Sequence, residues 1–475
     1  MSEEPKPSGV SENDWTATPL AVRALVTSLI QRIADLEDRL NQNSQNSSKP
    51  PSSDPPYKPR PPRSPSGRKV GGQKGHAGHG RLLKPVDQVN RVVNFRPMQC
   101  VECGALLLGE DPQPRRHQVT ELPRLQAEVT EYRCHRLTCL ACGAETAAEV
   151  PAEVPSGSFG PRLQATVGYF TGRLGISQRD ALEVLETVFH TEISLGSIPS
   201  LTETVSTALA GVVETARTYV ATQAVKNVDE TSWREKARRT WLWVNRTSWV
   251  TVFQLLTTRS SASAKHILGE RFGGIVGSDR YSAYNWLDVE QRQICWAHLR
   301  RDFQSFIERG EESRRIGQAL LDQVSVMFAM WSQVKVGNVS RTEFQNQMRP
   351  VQQRVGELMR EGQSVGQAKT SRTCTQILKV EPALWTFVRV EGVEPTNNSA
   401  ERALRRAVLW RRRSFGTQSE GGSRFVERIL TAVTTLRQQQ RDVLDYLTEV
   451  CTAANRGGTP PPLCPLHLPL PLSSA

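Results

Sequence analysis

Residues 274–285 read GIVGSDRYSAYN, a short apolar strand pattern in which Ile275 and Val276 sit between glycines and Asp279 follows closely. A strand that ends in a carboxylate presents it at a sheet edge, where function collects in α/β folds. Taken alone, Asp279 reads better as a surface aspartate in a turn. Two other stretches change that balance. In KNVDETSW, residues 226–233, Val228 leads into Asp229, Glu230 and Thr231. In TNNSAERALRR, residues 396–406, the pattern predicts a helix start with Asn398 as N-cap and Glu401 three residues later, in the first turn. Glu401 then either caps its own helix, turned back on the backbone, or projects as a ligand. Two strand-end aspartates and one helical glutamate meeting at a sheet edge form the set that two Mg²⁺ ions need to clamp the attacking and leaving oxygens of a phosphodiester.

Five stretches in this order, VDETSW, TWLWVN, GSDRYSAYNW, ICWAHLRRDF and NNSAERALR, resemble the transposases of the IS66 insertion-sequence family. The resemblance runs from the N-terminal helix to about residue 450 and includes the cysteine cluster described below. It implies a DDE enzyme with an RNase H-like catalytic core that a helical insertion interrupts. It also implies that Asp229, Asp279 and Glu401 are catalytic and hold two Mg²⁺ (or Mn²⁺) ions. The implied substrate is double-stranded DNA, both transposon ends and target, with small accessory proteins of the same element as further partners. His298 and Arg301 belong, by the same likeness, to a motif close to the active site, with structural packing as the equal alternative. The basic residue that some DDE families carry two helical turns after the glutamate is Val408 here; Arg405 or Arg411 would have to substitute, and the role stays unassigned.

Length and charge fit such a reading. A chain of 475 residues suggests roughly two to four domains. Its net charge of +12 and pI of about 9.5 favour a polyanionic partner. No run of about 18 apolar residues is present, and the opening MSEEPKPSGV is not a signal peptide. The expectation is a bacterial cytoplasmic protein, associated with the nucleoid and not with a membrane. Of nine cysteines, four form two CxxC pairs, which points to a reducing compartment and metal ligation, not disulfides.

The expected fold class is multidomain α/β, built in this order. Residues 1–43 carry an N-terminal coiled-coil helix with the seam Val22, Val26, Leu29, Ile33, Leu36 and Leu40, and hence a homo-oligomer. Residues 44–92 are a disordered basic linker in which Lys69 and Lys74 suit DNA phosphate contact; His76 and His79 read as solvated loop histidines. Residues 93–150 are a zinc-binding domain in which Cys100, Cys103, Cys139 and Cys142 make a closed, structural four-thiolate site. His117, Cys134 and His135 are rival ligands, and alternation at 118–132 predicts an inserted hairpin. Residues 151–223 are helical, either a DNA-binding helix-turn-helix or a scaffold for the sheet. Residues 224–301 and 393–452 are the two parts of the core, the second with the catalytic Glu401, around the helical insertion at 302–392. Residues 453–475 are a disordered tail.

Within the core the pattern predicts a strand at 225–229, a hairpin of 241–245 with 249–255, a helix at 266–272 and a strand at 294–298. On that last strand Cys295 and His298 would point to opposite faces, so that joint ligation is not expected. Arg402, Arg405, Arg406, Arg411 and Arg412 follow Glu401 on one helix. An arginine run is usually a solvated face, but here it adjoins proposed metal ligands, which favours DNA phosphate contact. An active transposase is the reading that results. A DNA-binding protein that has lost catalysis and a nuclease of RNA–DNA hybrids or junctions are the alternatives.

Overall fold

The computed structural model describes residues 10–41, 82–151, 154–155 and 157–465. It opens with α1 (Glu12–Ala17) and α2 (Leu20–Asn41). The heptad helix forms, and Val22, Leu29, Ile33, Leu36 and Leu40 of its seam stand exposed. Lys69, Lys74, His76 and His79 lie outside the described residues, as do residues 466–475; the tail expected to be disordered from 453 is ordered up to 465, where Leu463 is buried and its carbonyl accepts from Gln439 Nε2.

Residues 82–151 are almost entirely exposed. They hold a short hairpin of β1 (Arg136–Thr138) and β2 (Glu145–Ala147), antiparallel with Leu137 opposite Thr146. The hairpin expected at 118–132 is not formed, and that stretch runs without strand pairing. Alternation makes a strand only where something sets a partner in register. The second CxxC does so for β1 and β2: the Cys139 N–H donates to Ala144 O and the Gly143 N–H to Cys139 O, both at 2.8 Å.

Next come α3 (Pro161–Gly168), which runs on through a π-helical turn at Tyr169–Leu174, then α4 (Gln178–Phe189), α5 (Ser197–Ala208) and α6 (Ala210–Thr222). Pro161 opens α3, and Ser177 with Asp180 forms a capping box on α4. Gly172 is required in the π turn, because a Cβ there would stand 2.4 Å from Ile429. Ala165, Val205, Val213 and Tyr219 of α3, α5 and α6 share a buried cluster with Ile429 and Leu436. These helices therefore share a buried core with α15 (Glu420–Gln438) and α16 (Val443–Asn455).

The main sheet consists of β3 (Val225–Glu235), β4 (Arg238–Arg246), β5 (Thr251–Leu256), β6 (Ile275–Ser278) and β7 (Arg292–Ile294), in the order β5-β4-β3-β6-β7. The first three form an antiparallel meander, and β6 and β7 run parallel to β3. The expected helix at 266–272 lies earlier, as α7 (Ser261–Leu268), because Ser260 caps it and Gly269, at φ +93°, ends it. The expected strand at 294–298 stops at Ile294. Cys295 becomes the N-cap of α8 (Trp296–Ile307) instead.

The insertion continues as α9 (Glu311–Lys335), α10 (Arg341–Gln363), α11 (Ala368–Leu378), α12 (Glu381–Leu384) and α13 (Thr386–Arg389). It has its own core, in which Phe303, Phe306, Trp331, Phe344 and Phe387 pack together. The chain then returns to the sheet with α14 (Asn398–Ser414), α15 (Glu420–Gln438) and α16 (Val443–Asn455). One sheet face buries Val228, Trp243 and Val276 with Ala264 and Leu268 of α7; the other buries Trp233, Leu242 and Val244 with Ala403 and Leu404 of α14.

Helix α15 closes the β5 edge by an unusual pairing. The N–H groups of Thr251, Phe253 and Leu255 donate to Thr435 Oγ1 (3.1 Å), Thr431 Oγ1 (3.0 Å) and Glu427 Oε1 (2.6 Å). Four helical residues rise about 6 Å and two strand residues about 6.8 Å, so the two periods stay in step over three contacts. An open edge that would otherwise template aggregation is thereby covered.

Candidate active site

The parallel pairing of β3 with β6 decides where the two aspartates meet. Val225 lies opposite Ile275, Lys226 opposite Val276 and Asn227 opposite Gly277. Carried two residues further, the same register sets Asp229 beside Asp279. Asp229 is not at the end of its strand, as expected, because β3 continues to Glu235 along β4; it lies just past the end of the parallel ladder. Alternation turns Asp229 to the face of Trp233, under α14, and Glu230 to the face of Val228. Asp279 follows β6 and is shaped by its own turn, Oδ1 accepting the Tyr281 N–H at 2.9 Å.

Glu401 arrives on the first turn of α14. Ala400, Ala403, Leu404 and Ala407 face the sheet, and the three alanines let the helix approach closely. The N-cap is Asn397, one residue before the expected Asn398. Its Nδ2 donates to Val228 O at 2.8 Å, and its N–H donates to Cys295 Sγ at 3.2 Å. That side chain serves the neighbouring strand, which is why it makes no capping bond of its own. Glu401 does not turn back to cap the helix either. Its Oε1 lies 3.5 Å from His298 Nδ1.

Charge accumulates here. Burial pushes the Asp229 carboxyl well above the ordinary carboxylate range, and Glu230, Asp279 and Glu401 push in the same direction. The Glu230 N–H, donating to Asp229 Oδ1 at 2.9 Å, offsets part of this. The three carboxylates interact, yet their oxygens are not drawn into one tight group. Among the described residues, the set of three possible ligands whose donor atoms all lie within 4.8 Å of one another is Cys295, His298 and Glu401. This corrects the strand-based expectation for CxxH: Cys295 is an N-cap and His298 sits on the first turn of α8, so both project to one side. Burial pushes the Cys295 thiol up to about 11, while burial and Arg301 lower the His298 imidazole.

Sequence reasoning missed the support beneath these residues. Glu230 is buried with Oε1 held by Arg259 Nε at 2.5 Å and Oε2 by Tyr284 OH at 2.7 Å. The Arg259 guanidinium lies 3.7 Å from the Tyr281 ring centroid, and Nη2 is 4.0 Å from Asp279 Oδ2. A charged residue on the apolar face of a strand signals a buried partner, although its identity is a tertiary matter.

Of the six arginines on α14, Arg402, Arg405, Arg406, Arg412 and Arg413 are exposed. Arg411 differs. Its Nη1 donates to Thr231 Oγ1 at 3.0 Å, to Ser232 Oγ at 2.6 Å and to the Ser232 carbonyl, tying α14 to β3. Beside the carboxylates is a cleft of about 540 Å³ lined by Arg259, Asp279, Arg280, His298, Arg301 and Arg309. A groove of about 1000 Å³ between α8, α9 and α14 adds Arg300, Lys335 and Arg402 and shares Arg301 with it.

At the CxxC pairs the two turns match. The N–H of Cys100 donates to Ala105 O and that of Gly104 to Cys100 O, as at the second pair, and Gly104 and Gly143 take φ of +72° and +76°. Backbone N–H groups directed at the first thiol of each pair hold Cys100 and Cys139 below the ordinary thiol range. The structure brings each pair together but does not gather the four thiols into one group within 4.8 Å.

The family model for the IS66 family of transposases matches residues 157–424, more than half of the chain and the whole span from Asp229 to Glu401. The chain belongs to the IS66 transposase family. Residues 2–82 match a further family model whose function is unknown. Two relatives come from Sinorhizobium fredii. The uncharacterized protein y4qI is 30% identical over 211 residues, 41% of this chain and 38% of that protein. The uncharacterized protein y4hP is 25% identical over 403 residues, 76% of this chain and 71% of that protein. The chain thus spans well under half of the first relative and about seven-tenths of the second. Among the described residues, no helix of this IS66 family member is long and apolar enough to cross a membrane.

Proposed function

We propose that this chain is a DNA transposase that binds the ends of its insertion sequence and catalyses metal-dependent strand cleavage and strand transfer. The observation that carries the reading is the register that sets Asp229 beside Asp279 under the helix bearing Glu401. The raised Asp229 carboxyl marks negative charge awaiting a cation, and an all-oxygen donor set suits Mg²⁺ or Mn²⁺. The mixed five-stranded sheet with a helical insertion supports an RNase H-like core of the DDE type.

Asp229, Asp279 and Glu401 would hold two such ions. When bound, these supply a Lewis-acid clamp on the attacking and leaving oxygens. Asn397 keeps Glu401 at the level of β3, and Arg259 holds the Glu230 carboxylate in place on the opposite face of the strand. Arg402, Arg405, Arg406 and Arg412, with the basic groove, bind phosphates without reading bases. Lys69 and Lys74 belong to the same non-specific contact, while Arg411 is occupied with β3. In cleavage, water forms a bond to phosphorus as the bond to the 3′-oxygen breaks; the water gives a proton to solvent and the departing 3′-oxygen takes one up, leaving a hydroxyl. In transfer, that hydroxyl gives its proton to solvent as it bonds to a target phosphorus, and the target's own 3′-oxygen is displaced and takes up a proton.

Cys100, Cys103, Cys139 and Cys142 are proposed to hold a structural Zn²⁺. The matched turns and depressed thiols fit it, and closure of the four-thiolate site would draw the two knuckles together. The exposed seam of α2 suits a homo-oligomer, and small proteins of the same element are the further partners. The functional test is nicking of duplex DNA carrying the flanking gene ends, with Mg²⁺. The wild type is expected to leave a 3′-hydroxyl at the ends and Asp279→Asn to leave the duplex intact. Equal cleavage by both would remove Asp279 from the site.

A further inference from the structure

The imidazole of His298 and the carboxylate of Glu401 face each other across 3.5 Å, from the first turns of α8 and α14. His298 Nδ1 and Glu401 Oε1 are both enclosed by protein, and neither has a hydrogen-bond partner. An enclosed nitrogen and an enclosed oxygen left unbonded are costly, and an ion between them is one of the few arrangements that satisfies both. Cys295 is not the natural third ligand, since its Sγ already accepts the Asn397 N–H that fixes the start of α14. Both helices are firmly anchored at this point: the Trp296 N–H donates to Pro395 O at 3.0 Å, and Asn397 Nδ2 reaches β3. The pair is held by the fold and does not result from two loose surface side chains.

We propose that His298 Nδ1 is a protein ligand of the metal centre, sharing one ion with Glu401. The proposal rests on the reading of Asp229, Asp279 and Glu401 as metal-binding carboxylates. A nitrogen ligand shifts a site away from Mg²⁺ and toward first-row transition ions, because imidazole is the softer donor. One position of the centre therefore prefers Mn²⁺ over Mg²⁺, while a site of carboxylates alone accepts either.

Mn²⁺ is also the probe that tests it. The full chain is titrated with Mn²⁺, and electron spin-echo modulation reads directly bonded ¹⁴N, without any turnover. Wild type is expected to show nitrogen coupling that disappears in His298→Gln, with Mn²⁺ affinity lower by about tenfold or more. His298→Asp is expected to restore affinity without the nitrogen signal and to move preference toward Mg²⁺, which a purely structural histidine would not do. Unchanged melting of both variants separates ligand loss from misfolding. If Mn²⁺ binds wild type and Asp279→Asn abolishes that binding, but the nitrogen signal is absent or survives in His298→Gln, the proposal is overturned and the carboxylate reading stands. If wild type holds no Mn²⁺ that Asp279→Asn removes, both fall. Zn²⁺ expelling Mn²⁺ with a thiolate absorption that Cys295→Ser removes would also overturn it, in favour of a Cys-His-Glu zinc site.

Discussion

Asp229 concentrates the tension of the site. Its carboxyl stays protonated to higher pH than the ordinary 3.8 because burial and three neighbouring carboxylates oppose its charge. Between these two values the native state binds more protons than the unfolded chain, so stability is fully present below about 3.8 and is lost as pH rises through the native value. Asp229→Asn removes that penalty. The variant is expected to melt above wild type at pH 7, with the gap closing as pH falls toward 4. Mg²⁺ is expected to raise the melting temperature of wild type and not of the variant, since only a ligand bound by the native state stabilises it. Thermal melts at two pH values, with and without Mg²⁺, check both, and a variant less stable than wild type at pH 7 would contradict the argument. The same scale shows how far a sequence speaks for single residues. The motifs around Asp229, Asp279 and Glu401 are legible as sequence, whereas the Arg259 and Tyr284 contacts to Glu230 come from residues remote in the chain.

Among the elements, the junction of β5 with α15 is where local patterns interlock. Thr435 is fully buried and behaves as a partner strand residue would, accepting the Thr251 N–H at 3.1 Å and donating to the Thr251 carbonyl at 3.0 Å. Thr435→Val keeps the shape and removes both bonds. It is expected to cost about 1–3 kcal/mol by urea unfolding with the denaturant slope unchanged; a cost under about 0.5 kcal/mol would mean that the edge is satisfied otherwise. The helical character of 151–223 was legible from its pattern, and Pro161 and Ser177 open α3 and α4 there. The Cys295 boundary was not. The apolar run ICWAH suits a strand or a buried helix start equally, and only the contact of Cys295 with Asn397 decides between them.

Over the whole molecule, the insertion gathers one buried cluster while the helices at 161–222 share another with α15 and α16. None of the five buried clusters draws a residue from 82–151, so that segment has no apolar core of its own. If zinc holds it, metal and fold are coupled there. The purified chain is then expected to carry zinc that a thiol-modifying reagent releases. Cys100→Ser combined with Cys139→Ser is expected to carry none, while the melting of the sheet stays within about 1 °C of wild type, since mutations at independent sites do not couple. Metal analysis and calorimetry check this; a large loss of core stability would show that the segment docks on the sheet.

By itself the sequence determined the strand–helix character of the core and the motifs that mark the IS66 family, because periodicity, caps and short motifs are local and survive in one dimension. Tertiary structure decided the rest. The parallel register that aligns Asp229 with Asp279, the turn of His298 toward Glu401 and the inward commitment of Arg411 all depend on which distant backbone supplies the next hydrogen bond. No local pattern encodes that choice.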